Sequence, residues 1–313
     1  VTRFSSPRRY GAVLSCLCLI AAVALPMPSG AQEIYIWEDE HGIKHFSDRR
    51  PEGEYEVKVQ RAIAEPGRPV TMQNVGSERE PQWRFSSRLH GPMTVRVTLP
   101  EATNVVSEPQ LPALIELPAN DSRDVLIGPF DERRSWRYRI EMTAVPGSLA
   151  ATPDHDFAYQ LPIAPEATVR IGQGFGGKFS HDQPHSQHAV DFTLPVGTPI
   201  LAARAGKVMD LERWFHRAGQ DVERDGPRAN YVRVLHEDGT MAVYAHLDYN
   251  AIQVRPGQRV EQGQLLGRSG NTGFSTGPHL HFSIQINRNM QLVSIPFRMI
   301  DHDGREISAQ LQR

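Results

Sequence analysis

Cysteine is nearly absent from this chain: two in 313 residues, Cys16 and Cys18. Both fall in an N-terminal apolar run. A chain processed beyond that run has no disulfide and no thiolate metal ligand, so any metal must be held by His and carboxylate. An excess of charge is also missing, with 34 Lys and Arg against 36 Asp and Glu. That balance gives no basis for a nucleic-acid partner or an electrostatic membrane partner. No long helical period follows the first segment, and 24 prolines with 25 glycines disfavour long helices. With no cysteine beyond that run, no covalent intermediate is expected.

What is present begins with Arg3, Arg8 and Arg9, then the apolar residues 11–25, then Ser29-Gly30-Ala31. A basic stretch, an apolar stretch too short for a comfortable span, and small residues at a cleavage site predict a secretory signal over 1–31. The expected location is therefore beyond the inner membrane, in the periplasm or cell envelope. No stable span is expected after cleavage.

Residues 32–64 read as a small hairpin unit. Ile34-Tyr35-Ile36-Trp37 and Ile43-Lys44-His45-Phe46-Ser47 flank the turn Asp39-Glu40-His41-Gly42. His41 and His45 are read as hairpin surface residues rather than ligands. Residues 65–82 are polar with Pro and Gly and read as a linker. Strand-like pieces at 93–99, 113–117, 124–127 and 135–142 predict a β-sandwich spacer over 83–150. Residues 301–313 read as a tail.

The unit at 160–300 carries the chemistry. Glycines punctuate it, and short runs such as Tyr231-Val232-Arg233-Val234-Leu235 and Met241-Ala242-Val243-Tyr244 read as strands of an all-β domain. The charged stretch 213–228 reads as a long rim loop. His279-Leu280-His281 is the sharpest feature. Two histidines at i and i+2 lie on one face of a strand, so one can hold a metal while the other faces a substrate. With Tyr244-Ala245-His246-Leu247 and an upstream Asp191, the region offers ligands and acid–base groups for metal-assisted hydrolysis. For the first histidine ligand His181, His185 and His188 remain open. His188, three residues before Asp191, would point to the opposite strand face. His216 and His236 are read as solvated, His302 as part of the tail, and Tyr244 as equally suited to core or site.

The pieces Ala189-Val190-Asp191-Phe192, Pro195-Val196-Gly197-Thr198-Pro199, Tyr244-Ala245-His246-Leu247, Gly270-Asn271-Thr272-Gly273 and His279-Leu280-His281-Phe282 resemble the lysostaphin-type (LytM-like) zinc endopeptidases of peptidoglycan. The resemblance runs over residues 172–297. It implies a mostly β protein whose C-terminal antiparallel metallopeptidase domain follows the hairpin unit and the sandwich. It implies one Zn2+ held by Asp191 and His281, with His279 and His246 catalytic and His246 the general base. The common family pattern puts the first histidine ligand four residues before the Asp, where this chain has Gln187. A branch carrying Phe-Ser-His matches Phe179-Ser180-His181 and implies His181. Asn230 and Thr276 fall where the family lines its substrate groove.

The hairpin unit resembles a small domain of unknown function from bacterial envelope proteins, through Ser47-Asp48-Arg49-Arg50-Pro51. That implies a Gram-negative source, stem peptides of peptidoglycan with diaminopimelate-type cross-links as substrate, and other envelope proteins as candidate partners. A second reading, from the same resemblance, is a catalytically inactive regulator of other wall hydrolases. Retention of Asp191, His246, His279 and His281 argues against it. A lipoyl-like carrier needs a Lys at a hairpin tip, and residues 254–270 contain none.

Overall fold

The computed structural model describes residues 33–39, 43–47, 49–61 and 67–309. The expected secretory signal, both cysteines and His41 lie outside them. Over the described residues the protein is nearly all β-sheet.

The strand Glu33–Glu38 is central in a three-stranded antiparallel sheet, between Lys44–Ser47 and Lys58–Arg61. Trp37 sits opposite His45 with the two rings stacked 5.1 Å apart. The His45 Nε2 lies 2.7 Å from the Asp39 carboxylate. His45 is thus spent on the hairpin. The third strand was not anticipated.

A sandwich follows. One sheet orders Val70–Asn74, Gln82–Ser87, Ser122–Pro129 and Val105–Glu108; the other orders Arg137–Pro146, Met93–Thr103 and Ala113–Leu117. Alternate residues face inward, so Met93, Val95, Val97, Leu117, Val125 and Ile127 share one core with Phe85 and Leu89. Each such side chain stabilises the fold by roughly 1.5–3 kcal/mol. The linker expected over 65–82 is corrected here: Val70–Asn74 is an edge strand, because Val70 points into the core while its polar neighbours face out.

Residues from about 151 onward form the third unit. Its main sheet runs Arg170–Gln173, Ala189–Thr193, His279–Arg288, Met241–Ala245, Tyr231–Leu235, Gly206–Glu212 and Arg259–Val260, with Gln291–Ile295 paired to His279–Arg288. Val190, Phe192, Val232, Val234, Ala242, Tyr244, Leu280, Phe282 and Ile284 fill the core on one face. Strand period two then sends their neighbours to the other face. In register, Asp191 stands opposite His281, His281 opposite Ala245, and Ala245 opposite Tyr231.

The sandwich packs on this unit. Met209 and Met241 belong to the sandwich core, and Leu235 packs against it. The His90 N–H donates to the Met209 carbonyl at 2.9 Å, and the Asn287 side chain donates to the Gly147 carbonyl at 3.1 Å. Gly91 permits the approach, since a Cβ there would sit 2.9 Å from Met209 Cγ.

Two further expectations are corrected. The rim loop at 213–228 contains a helical turn, Val222–Asp225, capped by the Asp221 carboxylate accepting from the Arg224 N–H, and then a 3-10 turn, Gly226–Arg228. The tail is not loose: Glu306–Ile307 pairs with Arg298–Ile300, and Ala309 is buried in the core. Two N–H groups, of Asp303 and Arg305, donate to the Asp301 carboxylate and turn the chain back.

Candidate metal centre

Three side chains converge on the face opposite the core. His181, Asp191 and His281 each offer one ligand atom, and these atoms lie within 4.8 Å of one another. Asp191 and His281 are cross-strand partners, and His281 Nδ1 lies 2.9 Å from Asp191 Oδ1. His181 arrives from a loop. Its N–H donates to the Gly177 carbonyl at 3.0 Å, and its ring Nδ1 lies 2.8 Å from the Gly174 carbonyl. A carbonyl only accepts, so Nδ1 carries the proton and Nε2 presents a lone pair.

That lone pair faces the carboxylate. His181 Nε2 lies 3.2 Å from Asp191 Oδ1, is buried, and has no hydrogen-bond partner. Two acceptors at this separation repel unless a proton or a cation lies between them. A buried nitrogen left unpaired is costly, and metal coordination satisfies it. Two imidazoles and one carboxylate suit a zinc-type ion that keeps an open position. The residues present therefore fit a metal. Burial pushes the Asp191 carboxyl up, but His181 and His281, when they donate a proton where a cation would otherwise lie, outweigh it and hold it well below the usual carboxylate range.

Gln173 organises the first wall of the site. Its side-chain N–H groups donate to Ser180 Oγ at 2.8 Å and Asp191 Oδ2 at 3.1 Å, while its oxygen accepts from the Phe179 N–H at 3.1 Å. It thus ties the His181 loop to the carboxylate. Nothing in the linear sequence singled Gln173 out. Its one signal is pairing opposite Asp191, which requires the register.

Two more imidazoles flank the three. His279 Nδ1 donates to the Gly277 carbonyl at 2.8 Å, and His279 Nε2 lies 3.9 Å from Asp191 Oδ1. His246 Nδ1 donates to the Thr272 carbonyl at 2.6 Å. In both rings Nε2 is left as the acceptor. The His246 and His279 ring centroids are 4.5 Å apart, and those of His246 and His281 5.9 Å. Burial, and then the neighbouring His279 and His281, push His246 down to about 3. Burial also lowers His279. His246 takes a left-handed backbone, φ +62°, directly after the strand Met241–Ala245. A non-glycine residue held there costs on the order of 1–3 kcal/mol and marks a site whose surroundings enforce its position.

Asn230 helps enforce it. It was expected to line the substrate groove, and the structure places it elsewhere. It is fully buried, its amide donates to the Phe215 and Leu247 carbonyls at 2.7 and 3.2 Å, and its oxygen accepts from the Phe215 N–H at 2.9 Å. Asn230 is a staple next to His246, because the rim loop folds over it. Thr276 does line the cleft.

The remaining histidines divide clearly. His185 lines the cleft but is outside the group of three. His188 turns away, with Nδ1 3.0 Å from the Ser294 carbonyl and its ring edge-on to Phe175. The expectation that His236 is solvated is corrected: it is buried, 2.8 Å from Thr240 Oγ1, and tilted against Tyr159. The segment before 160 covers that hairpin. His216 packs near the Tyr249 ring, and His302 Nε2 donates to the Ile163 carbonyl at 2.7 Å. Tyr244 belongs to the core, its hydroxyl accepting from the Ala203 N–H.

The whole opens into a cleft of about 910 Å³. Its floor is the sheet face. One wall is the loop carrying Phe179 to Ser186, and the other carries Val222, Pro227 and Phe274 to Pro278. Phe179 and Phe274 stack across it, 5.7 Å apart and nearly parallel.

The family model described as peptidase family M23 matches residues 185–292, and one for a domain of unknown function, DUF4124, matches residues 16–69. The M23 match includes Asp191, His246, His279 and His281 and starts after His181. Peptidoglycan DD-endopeptidase ShyA of Vibrio cholerae is 39% identical over 102 residues, covering 32% of this chain and 20% of that protein. Lysostaphin of Staphylococcus simulans is 36% identical over 102 residues, covering 32% and 18%. An uncharacterized metalloprotease of Buchnera aphidicola is 33% identical over 109 residues, covering 35% and 25%. The chain thus spans a quarter or less of these relatives' length. Among solved structures, the catalytic domain of lysostaphin from Staphylococcus simulans is 30% identical, with 38% of this chain and 81% of that chain covered and a TM-score of 0.30. LytU is 32% identical, with 37% and 73% covered and a TM-score of 0.29.

Proposed function

We propose that this chain, whose residues 185–292 match peptidase family M23, is a zinc-dependent endopeptidase that hydrolyses peptide cross-links of peptidoglycan in the cell envelope. His181, Asp191 and His281 would hold one zinc ion. When bound, such an ion makes a water more acidic and polarises the scissile carbonyl. The chain's own groups do the rest. His246, kept neutral by burial, accepts the water proton at Nε2 and returns it to the leaving amine. His279, whose Nε2 is also an acceptor, orients the water. Thr276 and the cleft walls position the extended peptide. Gly277 and Thr272, through their carbonyls, fix both catalytic rings in the tautomer this work requires.

The observation that carries this reading is the buried, partnerless Nε2 of His181 facing Asp191 Oδ1 beside two neutral imidazoles. The names of the relatives supply the substrate class, and the expected secretory signal supplies the compartment. Zinc content and muropeptide release are measured on wild type, His181→Ala and His188→Ala. Wild type and His188→Ala are expected to bind one zinc and release cross-linked products, and His181→Ala to lose both. A wild type that binds no zinc and releases nothing would replace this reading with that of an inactive regulator.

A further inference from the structure

The cleft floor holds one cation that the reaction above does not use. Among the described residues lining the cleft, Arg233 is the sole Lys or Arg. It follows Tyr231 by two residues, so both project from the same sheet face. The next row below Asp191, His281, Ala245 and Tyr231 is Ser283, Val243 and Arg233. Rows lie about 6.6 Å apart along the strands, and Arg233 is two strand spacings, about 9.6 Å, from the His281 strand. The two Cα atoms are therefore roughly 12 Å apart. An arginine side chain and one or two residues of extended peptide span that gap. The guanidinium leans the right way, its carbon 5.6 Å from the Tyr231 ring centroid.

No described group of the protein neutralises it. Among the described residues Arg233 makes no ion pair, and its Nε is buried without a hydrogen-bond partner. The carboxylate directly across the strand pair is Asp210, and it is committed elsewhere. Asp210 accepts from the Tyr231 hydroxyl at 2.6 Å and lies 3.6 Å from the Arg88 guanidinium, which comes from the sandwich. Of the cleft-lining carboxylates, Asp191 lies among the imidazoles, and Asp182 belongs to the loop at the other edge of the cleft. A planar guanidinium left uncompensated beside a peptide trough is matched by a carboxylate that arrives with the ligand.

We propose that Arg233 is a specificity-determining residue that binds a free carboxylate of the substrate, borne on a residue one or two positions from the scissile bond. Resting on the peptidase reading, this selects cross-links that carry such a carboxylate over cross-links in which it is amidated. Arg88 takes part indirectly, since by holding Asp210 it leaves Arg233 free.

Two soluble cross-linked peptides test this, alike except that the residue supplying the released amine bears a free carboxylate in one and a carboxamide in the other. With zinc-loaded wild type, kcat/KM is expected to favour the carboxylate on the order of tenfold or more. Arg233→Gln should bring the ratio close to one, and Arg233→Lys should keep part of it. Equal cleavage by wild type, a ratio preserved in Arg233→Gln, or an equal fall for both peptides would overturn the proposal. If wild type cleaves neither, the peptidase reading has failed, and binding of the same two peptides by calorimetry still decides the role of Arg233. Tighter binding of the carboxylate by wild type but not by Arg233→Gln supports it, and equal binding by wild type refutes it.

Discussion

Replacing Asn230 by alanine removes a side chain with no exposed surface and three hydrogen bonds. Each such bond contributes about 1 kcal/mol net, and an orphaned buried partner costs about 1–3 kcal/mol. The Leu247 carbonyl keeps the Thr272 hydroxyl at 2.9 Å, so it is not orphaned. The N–H and carbonyl of buried Phe215 lose their Asn230 contacts together. The expected loss is thus about 3–5 kcal/mol of unfolding free energy, read by urea denaturation. The same change frees the segment that holds His246 at its left-handed φ, while the three metal-binding side chains lie on other segments. Turnover should therefore fall at least tenfold in kcat with zinc stoichiometry intact and KM little changed. A loss below about 1 kcal/mol, or a rise in KM with kcat preserved, would refute the staple and return Asn230 to the substrate groove.

Three further outcomes follow from other parts of the fold. His246→Ala should retain zinc yet lose on the order of 10²–10⁴ in kcat, the usual contribution of a positioned general base; full activity would remove His246 from the mechanism. Burial, with Arg204 nearby, pushes His236 down to about 3, so the unfolded chain binds a proton there that the native protein refuses. Its contribution to stability is complete above pH 6.5 and is lost as pH falls towards 3, at about 1.4 kcal/mol per pH unit; His236→Gln should flatten the slope by one proton, and an unchanged slope would contradict the burial. Met209→Ala should cost about 2–5 kcal/mol, since Met209 is fully buried between the sandwich and the third unit, and a loss of less than about 1 kcal/mol would mean that the two units do not share this core.

Strand identity was legible in the sequence because period two is a local property. Tyr231–Leu235 and Ala113–Leu117 appear where alternation and turn residues put them. His279 and His281 share a face for the same reason, and the family resemblance pointed to Asp191 and His246. Burial and tautomer were not legible, because they depend on which distant backbone groups arrive. The alternation in Val70–Asn74 was too short to stand out from polar neighbours, and its strand exists because Gln82–Ser87 pairs with it. His236 reads as a turn residue until residues from the segment before 160 cover it. Among His181, His185 and His188 the order of residues could not choose by itself. The fold separates them, by a Gly174 carbonyl that fixes the His181 tautomer and a Ser294 carbonyl that takes His188 out of the cleft. Arg233 is one more charged strand residue in the sequence. Only the packing of the sandwich, which brings Arg88 to Asp210, leaves its charge unanswered in the cleft. Local covalent order determined the strands and the ligand types. Long-range packing decided tautomers, burial and charge balance, because each is set by groups far apart in the chain.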